Sequence, residues 1–439
     1  MTTTADPVVR SGTGLRGLVL RLHFYAGLLV GPFVLIAALT GVLYALTPQV
    51  ESWLYADRLR VAPLSDQVAA AMATNPAGTL VAVRPAPSPD ATTRVLVSEP
   101  GLGESERRAV FVDPGNARVT GSLVAYGTSG VLPLRTTLDQ LHRTLLLGEP
   151  GRLYSELAAS WLWVVALGGA VLWISRWRAE RRSTTRPPRA VSGRGRTLGV
   201  HGVVGMWVLV GALFLSATGL TWSAYAGENV SAMRASLGWS TPALNVVGGG
   251  EHAGHTPAGT TSGTGDDVDG VLAVARAAGI DAPLVEIGLP AATGAAWKVT
   301  EIGRGRPTRV DAVAVHGGTV VDEVRFADYP LAAKLSRWGI DAHMGVLFGW
   351  PNQLLLALGL GLVTLVVLGY RMWWQRRPTR GFGRPIPRGQ WRKAPKPAVV
   401  VLALVALGVG WFLPVLGVSL AVFLVVDVLL GLRAAAAAR

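Results

Sequence analysis

The 439-residue chain contains no cysteine. That excludes disulfides, thiolate catalysis, cysteine-ligated iron–sulfur clusters and c-type haem attachment through CxxCH. Charge is scarce too: charged residues make up 15% of the chain, against roughly 25% in an ordinary soluble domain. Acids are the rarer sign, 27 Asp and Glu against 41 Lys and Arg, for a net charge of +14. Within the long apolar runs acids are almost absent, Asp427 being the main exception and read as a helix-end residue. A carboxylate-driven ion pump is therefore disfavoured. No P-loop, GxSxG, HExxH or Rossmann fingerprint stands in a strand–helix context that would support it. No zinc-finger or RNP-like spacing points to a nucleic-acid partner, despite the basic balance.

What the chain has is hydrophobic residues, 50% of the total, clumped in runs long enough to cross a bilayer core of about 30 Å. The expected plan is a polytopic α-helical membrane protein. A cytoplasmic N-terminus (1–21) leads into a first transmembrane helix (22–48), then an extracytoplasmic α+β module (49–140). An interfacial helix and second span (141–175), a basic loop (176–197) and a third span (198–222) follow. A second outer module (223–341), an interfacial segment with a fourth span (342–371), another basic loop (372–397) and a hydrophobic hairpin (398–432) complete it. The hairpin is read as two helices broken near Pro414, with one tilted helix as the alternative. The first apolar run is too long for a signal-peptide core, so it is read as a retained helix.

Residues 176–196 and 371–396 together hold seventeen basic residues. The positive-inside rule makes both loops cytoplasmic and both modules external. Most of the fifteen tryptophans lie near span ends and read as an interfacial belt. The Gly/Thr-rich stretch 247–265 reads as a flexible linker; its His252 and His255 form an HxxH pair that could alternatively bind a metal.

An internal repeat is legible. His23 is followed at +17 by Thr40-Gly41, and His201 at the same offset by Thr218-Gly219. His142 is followed by Gly148, Pro150, Trp173 and Arg176; His343 is followed at identical offsets by Gly349, Pro351, Trp374 and Arg377. The outer regions match more weakly, each with a short helix pattern, alternating strand patterns and a hairpin. Each half thus reads as helix, α+β outer domain, helix. The two halves enter the membrane in the same direction, as expected for an axis along the membrane normal.

Four of the seven histidines fall at matched places. An ionisable residue at a span is a functional hypothesis by default, and neutral imidazole is a standard axial ligand of haem iron. Repeat symmetry can bring His23 opposite His201 and His142 opposite His343, each pair gripping one b-type haem iron near one membrane face. Gly27 and Gly205 lie one turn from their histidines and would let a macrocycle or helix approach. The alternatives are interfacial histidines hydrogen-bonding across helices, or a proton or metal-ion relay.

The segments RLHFYAGLLVGPFVLIAALTGVLYAL, LHRTLLLGEPGR and VFVDPGNARVTG, with the repeated LH…G…TG pattern, resemble the PepSY-associated transmembrane family over roughly residues 12–432. The resemblance implies a bacterial cytoplasmic-membrane protein with PepSY-like modules outside. Some members are iron-regulated or are haem-containing ferric-siderophore reductases. It carries haem ligation to His23, His142, His201 and His343. The second module departs from the pattern, with His316-Gly317-Gly318 where the first has Asp113-Pro114-Gly115.

The leading expectation is electron transfer through two bis-histidine haems to an external acceptor, a ferric siderophore or other ferric chelate, from a cytoplasmic or quinol donor. The competing expectations are a membrane-anchored module binding a peptide, protease or envelope protein, and a transporter or permease. No residue is assigned a catalytic role.

Overall fold

The computed structural model describes residues 14–54, 63–88, 91–103, 105–181, 193–246, 267–292, 294–302, 308–345, 351–376 and 389–436. The 247–265 stretch with His252 and His255, and much of both basic loops, lie outside them. In chain order the helices are α1 (Gly14–Leu29), α2 (Gly31–Leu54), α3 (Leu64–Ala73), α4 (Pro133–Thr144), α5 (Arg152–Arg181) and α6 (Arg194–Thr221). Next come α7 (Tyr225–Ser236), α8 (Val268–Ala277), α9 (Leu331–His343), α10 (Pro351–Gln375), α11 (Lys396–Phe412) and α12 (Pro414–Ala436). Strands β1 (Thr79–Arg84), β2 (Thr93–Ser98), β3 (Glu106–Asp113) and β4 (Arg118–Tyr126) separate α3 from α4. Strands β5 (Val285–Gly288), β6 (Trp297–Glu301), β7 (Ala312–His316) and β8 (Thr319–Val324) separate α8 from α9.

The chain divides into two compact units. One comprises Met1–Val42, Gln140–Met233 and Leu354–Arg439; the other comprises Leu43–Asp139 and Arg234–Gln353.

The first unit is helical. Among the described residues four helices are long and apolar enough to cross a membrane, or five if the bent pair α1–α2 is one span. The chain is thus a membrane protein with several spanning helices and a separate β-sheet domain. Its helices pack through small residues: Gly202 lies against the Trp173 ring and Gly211 against Leu358, where a Cβ would collide. Such close approach is how helices associate where no hydrophobic effect drives them together. Trp207 and Trp411 remain exposed, as lipid-facing side chains would.

The first span differs from the single helix expected over 22–48. It starts at Gly14 and bends by 57° between α1 and α2. Pro32 is the cause: it has no N–H to offer the Leu28 carbonyl and its ring crowds it. That carbonyl instead accepts a 2.7 Å hydrogen bond from the Tyr370 hydroxyl of α10. Gly31 makes room, since a Cβ there would lie 3.3 Å from the Tyr370 ring.

The C-terminal apolar segment is two helices, broken at Leu413, whose φ of −114° and ψ of 82° are non-helical. Pro414 starts α12, a position that tolerates its missing N–H, and it excludes helical geometry from the residue before it. At 17 residues, α11 is about 25 Å long, a little short of a bilayer core of about 30 Å. Asp427 is not a helix-end residue. It lies within α12 and pairs with the buried Arg21 of α1.

The second unit holds one continuous antiparallel sheet in the order β4-β3-β2-β1-β5-β6-β7-β8. Two four-strand meanders meet where Ala82 and Val83 of β1 pair with Gly288 and Ile287 of β5. Helix α3 packs with Val95, Val97, Val110 and Val112, and α8 with Val285, Ile287, Val299 and Val313. Each such fully buried aliphatic contributes about 1.5–3 kcal/mol.

Polar ties close the seam between the meanders. Arg84 donates from Nε to Glu286 at 2.7 Å, and its other nitrogens donate to the Ser129 and Thr128 carbonyls. Helix α3 begins after Pro63 without a side-chain cap of its own. Asp269 of α8 supplies one, accepting from Leu64 and Ser65 N–H at 3.0 and 2.9 Å. Burial pushes the Asp269 carboxyl up, but a hydrogen bond from the Ser65 side chain together with these two backbone bonds prevails and holds it below its usual value.

Candidate functional site

His23 of α1 and His201 of α6 come together in the helical unit, although 178 residues of chain separate them. Their ring centres are 6.4 Å apart and the rings are nearly perpendicular, at 79°. Two imidazoles binding one metal from opposite sides, each through a bond of about 2 Å, have ring centres roughly 6 Å apart. The observed spacing is compatible with such a pair, and it is also that of an edge-to-face ring contact.

The surroundings orient both rings. His23 Nδ1 lies 2.9 Å from the Val165 carbonyl of α5. A carbonyl only accepts, so Nδ1 carries a proton, and in the neutral ring Nε2 keeps its lone pair for a ligand. Gly168 and Gly169 of α5 let the ring lie against that helix; a Cβ at Gly169 would be 3.1 Å from its Cε1. The Leu365 backbone lies beside the His201 ring, yet no hydrogen bond of ordinary geometry reaches its buried Nδ1. A Cβ at Gly27 would meet nothing within 4 Å, and one at Gly205 only a Leu365 methyl at 3.7 Å. Space is therefore open one turn from His23, while Leu365 packs against the corresponding turn beside His201.

His142 sits near the end of α4. Its Nδ1 is 3.0 Å from Thr40 Oγ1 of α2, and a Cβ at Gly41 would touch its ring at 3.5 Å. The Thr-Gly pair that marks the sequence repeat is thus the contact surface of a candidate ligand. His343, the fourth candidate, is the last residue of α9 in the other unit and is half-buried. Gly349, which matches Gly148 in the repeat, lies outside the described residues.

Several residues of this region are not singled out by sequence patterns. Glu156 of α5 is 0% exposed and accepts from the Tyr225 and Ala226 N–H groups at the start of α7. It lies inside the 141–175 segment read as an interfacial helix and second span, but ahead of that segment's uncharged apolar stretch, so it does not read as an acid within a span. Val165 acts through its backbone, which no side-chain pattern reveals. Trp161 is buried and donates to Ser419 at 2.9 Å, so it packs the helices rather than joining an interfacial belt.

Among curated proteins, none matches the chain. A family model, the PepSY-associated TM region, matches residues 20–376. The match takes in every candidate histidine and leaves α11 and α12 outside. Covering most of the chain, it establishes that this protein belongs to the PepSY-associated transmembrane family.

Proposed function

We propose that the protein conducts electrons across a bacterial cytoplasmic membrane through two bis-histidine b-type haems, to an extracytoplasmic ferric chelate such as a ferric siderophore. One observation carries the reading: the His23 and His201 rings stand 6.4 Å apart across the two halves of the chain. The donor set fits a haem. It offers an imidazole whose Nδ1 donates to a backbone carbonyl, a second whose buried Nδ1 lacks a hydrogen bond, and open space at Gly27. Among the described residues no three His, Asp or Glu side chains gather as a metal-ion cluster. A metal held by this pair has to bring its remaining ligands, as haem iron does.

In this reading His23 and His201 hold the group near the cytoplasmic face, and His142 and His343 hold a second near the outer face. When bound, a haem supplies a one-electron carrier; the protein supplies ligation, orientation and a low-polarity surrounding. Reduction of a ferric chelate releases iron because Fe(II) binds hard oxygen ligands less strongly. The element order supports a two-fold repeat: helix, short helix, four strands, short helix, long helix in the first half, and the same order with the additional helix α7 in the second. The basic loops support an N-terminus inside and the sheet unit outside.

The test is a reduced-minus-oxidised absorption spectrum of the purified protein from haem-replete cells. A reducible b-type signal with two haems per chain is expected. Protein free of haem would sink the reading, whereas a membrane-anchored binding module needs none. Reporter fusions at Gly115 and Arg186 should report opposite compartments; a shared compartment would overturn the orientation.

A further inference from the structure

We infer that Thr40 is a positioning residue for His142: its hydroxyl oxygen accepts the His142 Nδ1 proton and so leaves Nε2 as the ligating nitrogen. The inference rests on the haem reading above but concerns a residue that reading does not use.

A threonine hydroxyl has one hydrogen to donate and two lone pairs. Thr40 Oγ1 lies 2.8 Å from the Ile36 carbonyl, 3.1 Å from the Ala37 carbonyl and 3.0 Å from His142 Nδ1. Two oxygens at 2.8 Å need a hydrogen between them, and a carbonyl cannot provide it. The hydroxyl proton is therefore committed to the α2 backbone, one turn back. Towards His142 the oxygen has only a lone pair to offer, so the hydrogen in that contact belongs to Nδ1. An imidazole protonated on Nδ1 and neutral overall has its free lone pair on Nε2.

The device is stiff. Thr40 is 5% exposed, so water does not compete for its hydroxyl, and bonding to the i−4 carbonyl fixes its χ1. A Cβ added at Gly41 next to it would meet the ring at 3.5 Å, ordinary van der Waals contact, so the ring packs closely on this turn of α2. Val165 does the same for His23 with a backbone carbonyl. Two candidate ligands on different helices are thus held as the same tautomer by different means. Thr218, at the matching place in α6, also commits its hydroxyl proton to its own helix, 2.7 Å from the Phe214 carbonyl. Partners of this kind raise ligand basicity and set ring orientation, and their loss typically costs about 10- to 100-fold in metal affinity.

The experiment uses the full-length protein purified with its haem, comparing wild type, Thr40→Val and Thr40→Ser. Thr40→Val keeps the shape and removes the acceptor. It should weaken haem retention at one of the two sites by about 10- to 100-fold. Whatever haem remains there should have a raised midpoint potential and a changed low-spin ferric signature, with the other haem unaltered. Thr40→Ser should restore all three. A Thr40→Val protein with wild-type stoichiometry, potentials and signature would overturn the inference, as would a Thr40→Ser protein as defective as Thr40→Val. Nitrogen-15 spectra of histidine-labelled, haem-free wild type provide a second decision that does not depend on the variants folding. The His142 resonances, assigned by their loss in His142→Gln, should show a protonated Nδ1; a protonated Nε2 would overturn the inference. Absence of haem from wild type would sink the electron-transfer reading, and the nitrogen-15 result would still decide the role of Thr40.

Discussion

The two halves of the chain follow one order of elements but solve the same local problems differently. The first half enters through a helix broken at Pro32; at the corresponding offset from His201 the second half has Val210, and α6 runs unbroken from Arg194 to Thr221. His23 has a hydrogen-bonded Nδ1 and His201 does not. Helix α8 is capped by its own Asp267, whereas α3 starts at Pro63 and takes its cap from Asp269 of the second half. The β3–β4 turn uses Asp113 and Asn116 side chains to hold the backbone. The β7–β8 turn instead uses Gly317 and Gly318, both at positive φ, as a two-residue type I′ turn requires. What is shared is what places histidines and strands; what differs is how helix ends and turns are satisfied.

The largest effect that would break this comparison is loss of a whole cofactor. If the halves are equivalent where it matters, His23→Ala and His201→Ala should each remove the same haem and give the same low-temperature spectrum. His142→Ala and His343→Ala should share a different one. If His23→Ala matches His142→Ala instead, the halves are not paired through their first helices and the proposed ligation is wrong.

Next in size is the seam of the sheet. Arg84 is a buried cation, its side chain 4% exposed, whose partners are Glu286 across the seam and two carbonyls of its own half. Arg84→Ala leaves those acceptors facing a void and should destabilise the sheet unit by about 3 kcal/mol, read as a lower denaturant midpoint. Glu286→Gln keeps a hydrogen-bond acceptor and should cost less. Equal losses would mean that charge, not hydrogen-bond satisfaction, joins the halves.

Tyr370 sharpens the contrast between the entering helices. Its hydroxyl replaces the N–H that Pro32 cannot give to Leu28, so Tyr370→Phe should cost about 1–2 kcal/mol. Pro32→Ala restores a backbone donor, and in that background Tyr370→Phe should cost much less. A double-mutant cycle in detergent thermal unfolding measures the coupling; strict additivity would refute the compensation.

Much of this arrangement was legible in the sequence, and the reason is physical. Apolar run length dictates spans, and fixed offsets such as His142–Trp173 and His343–Trp374 survive only when the same elements recur. The cross-half meeting of His23 and His201 followed from that symmetry alone. What could not be read involved groups without a side-chain signature or contacts made across the repeat. The Val165 carbonyl is one case. The pairing of β1 with β5, which turns two modules into one sheet, is another, because either edge strand alone looks the same whether paired or free. Asp427 was misjudged for a simpler reason: its partner Arg21 is 406 residues away, and a charge in an apolar helix reads as terminal until that partner is known.

The smallest effect concerns the borrowed cap. Asp269 accepts two backbone N–H groups at the start of α3, and these bonds, with one from the Ser65 side chain, hold its carboxyl below the usual range. A carboxylate whose folded-state pKa is depressed stabilises the fold above its unfolded value, near 3.9. That contribution is lost as pH falls through the lower folded value. Asp269→Ala should therefore cost about 1 kcal/mol near neutral pH, the usual worth of an N-cap, and the difference from wild type should shrink at pH values below about 4. Asp267→Ala removes the corresponding cap within α8 itself and serves as the comparison: it should weaken α8 without loosening α3. Hydrogen exchange at the amides of Leu64 and Ser65 separates the two. Those amides should exchange faster in Asp269→Ala and at the wild-type rate in Asp267→Ala. Equal acceleration in both variants would show that α3 is held by general stability of the sheet unit and not by a cap reaching across from the other half.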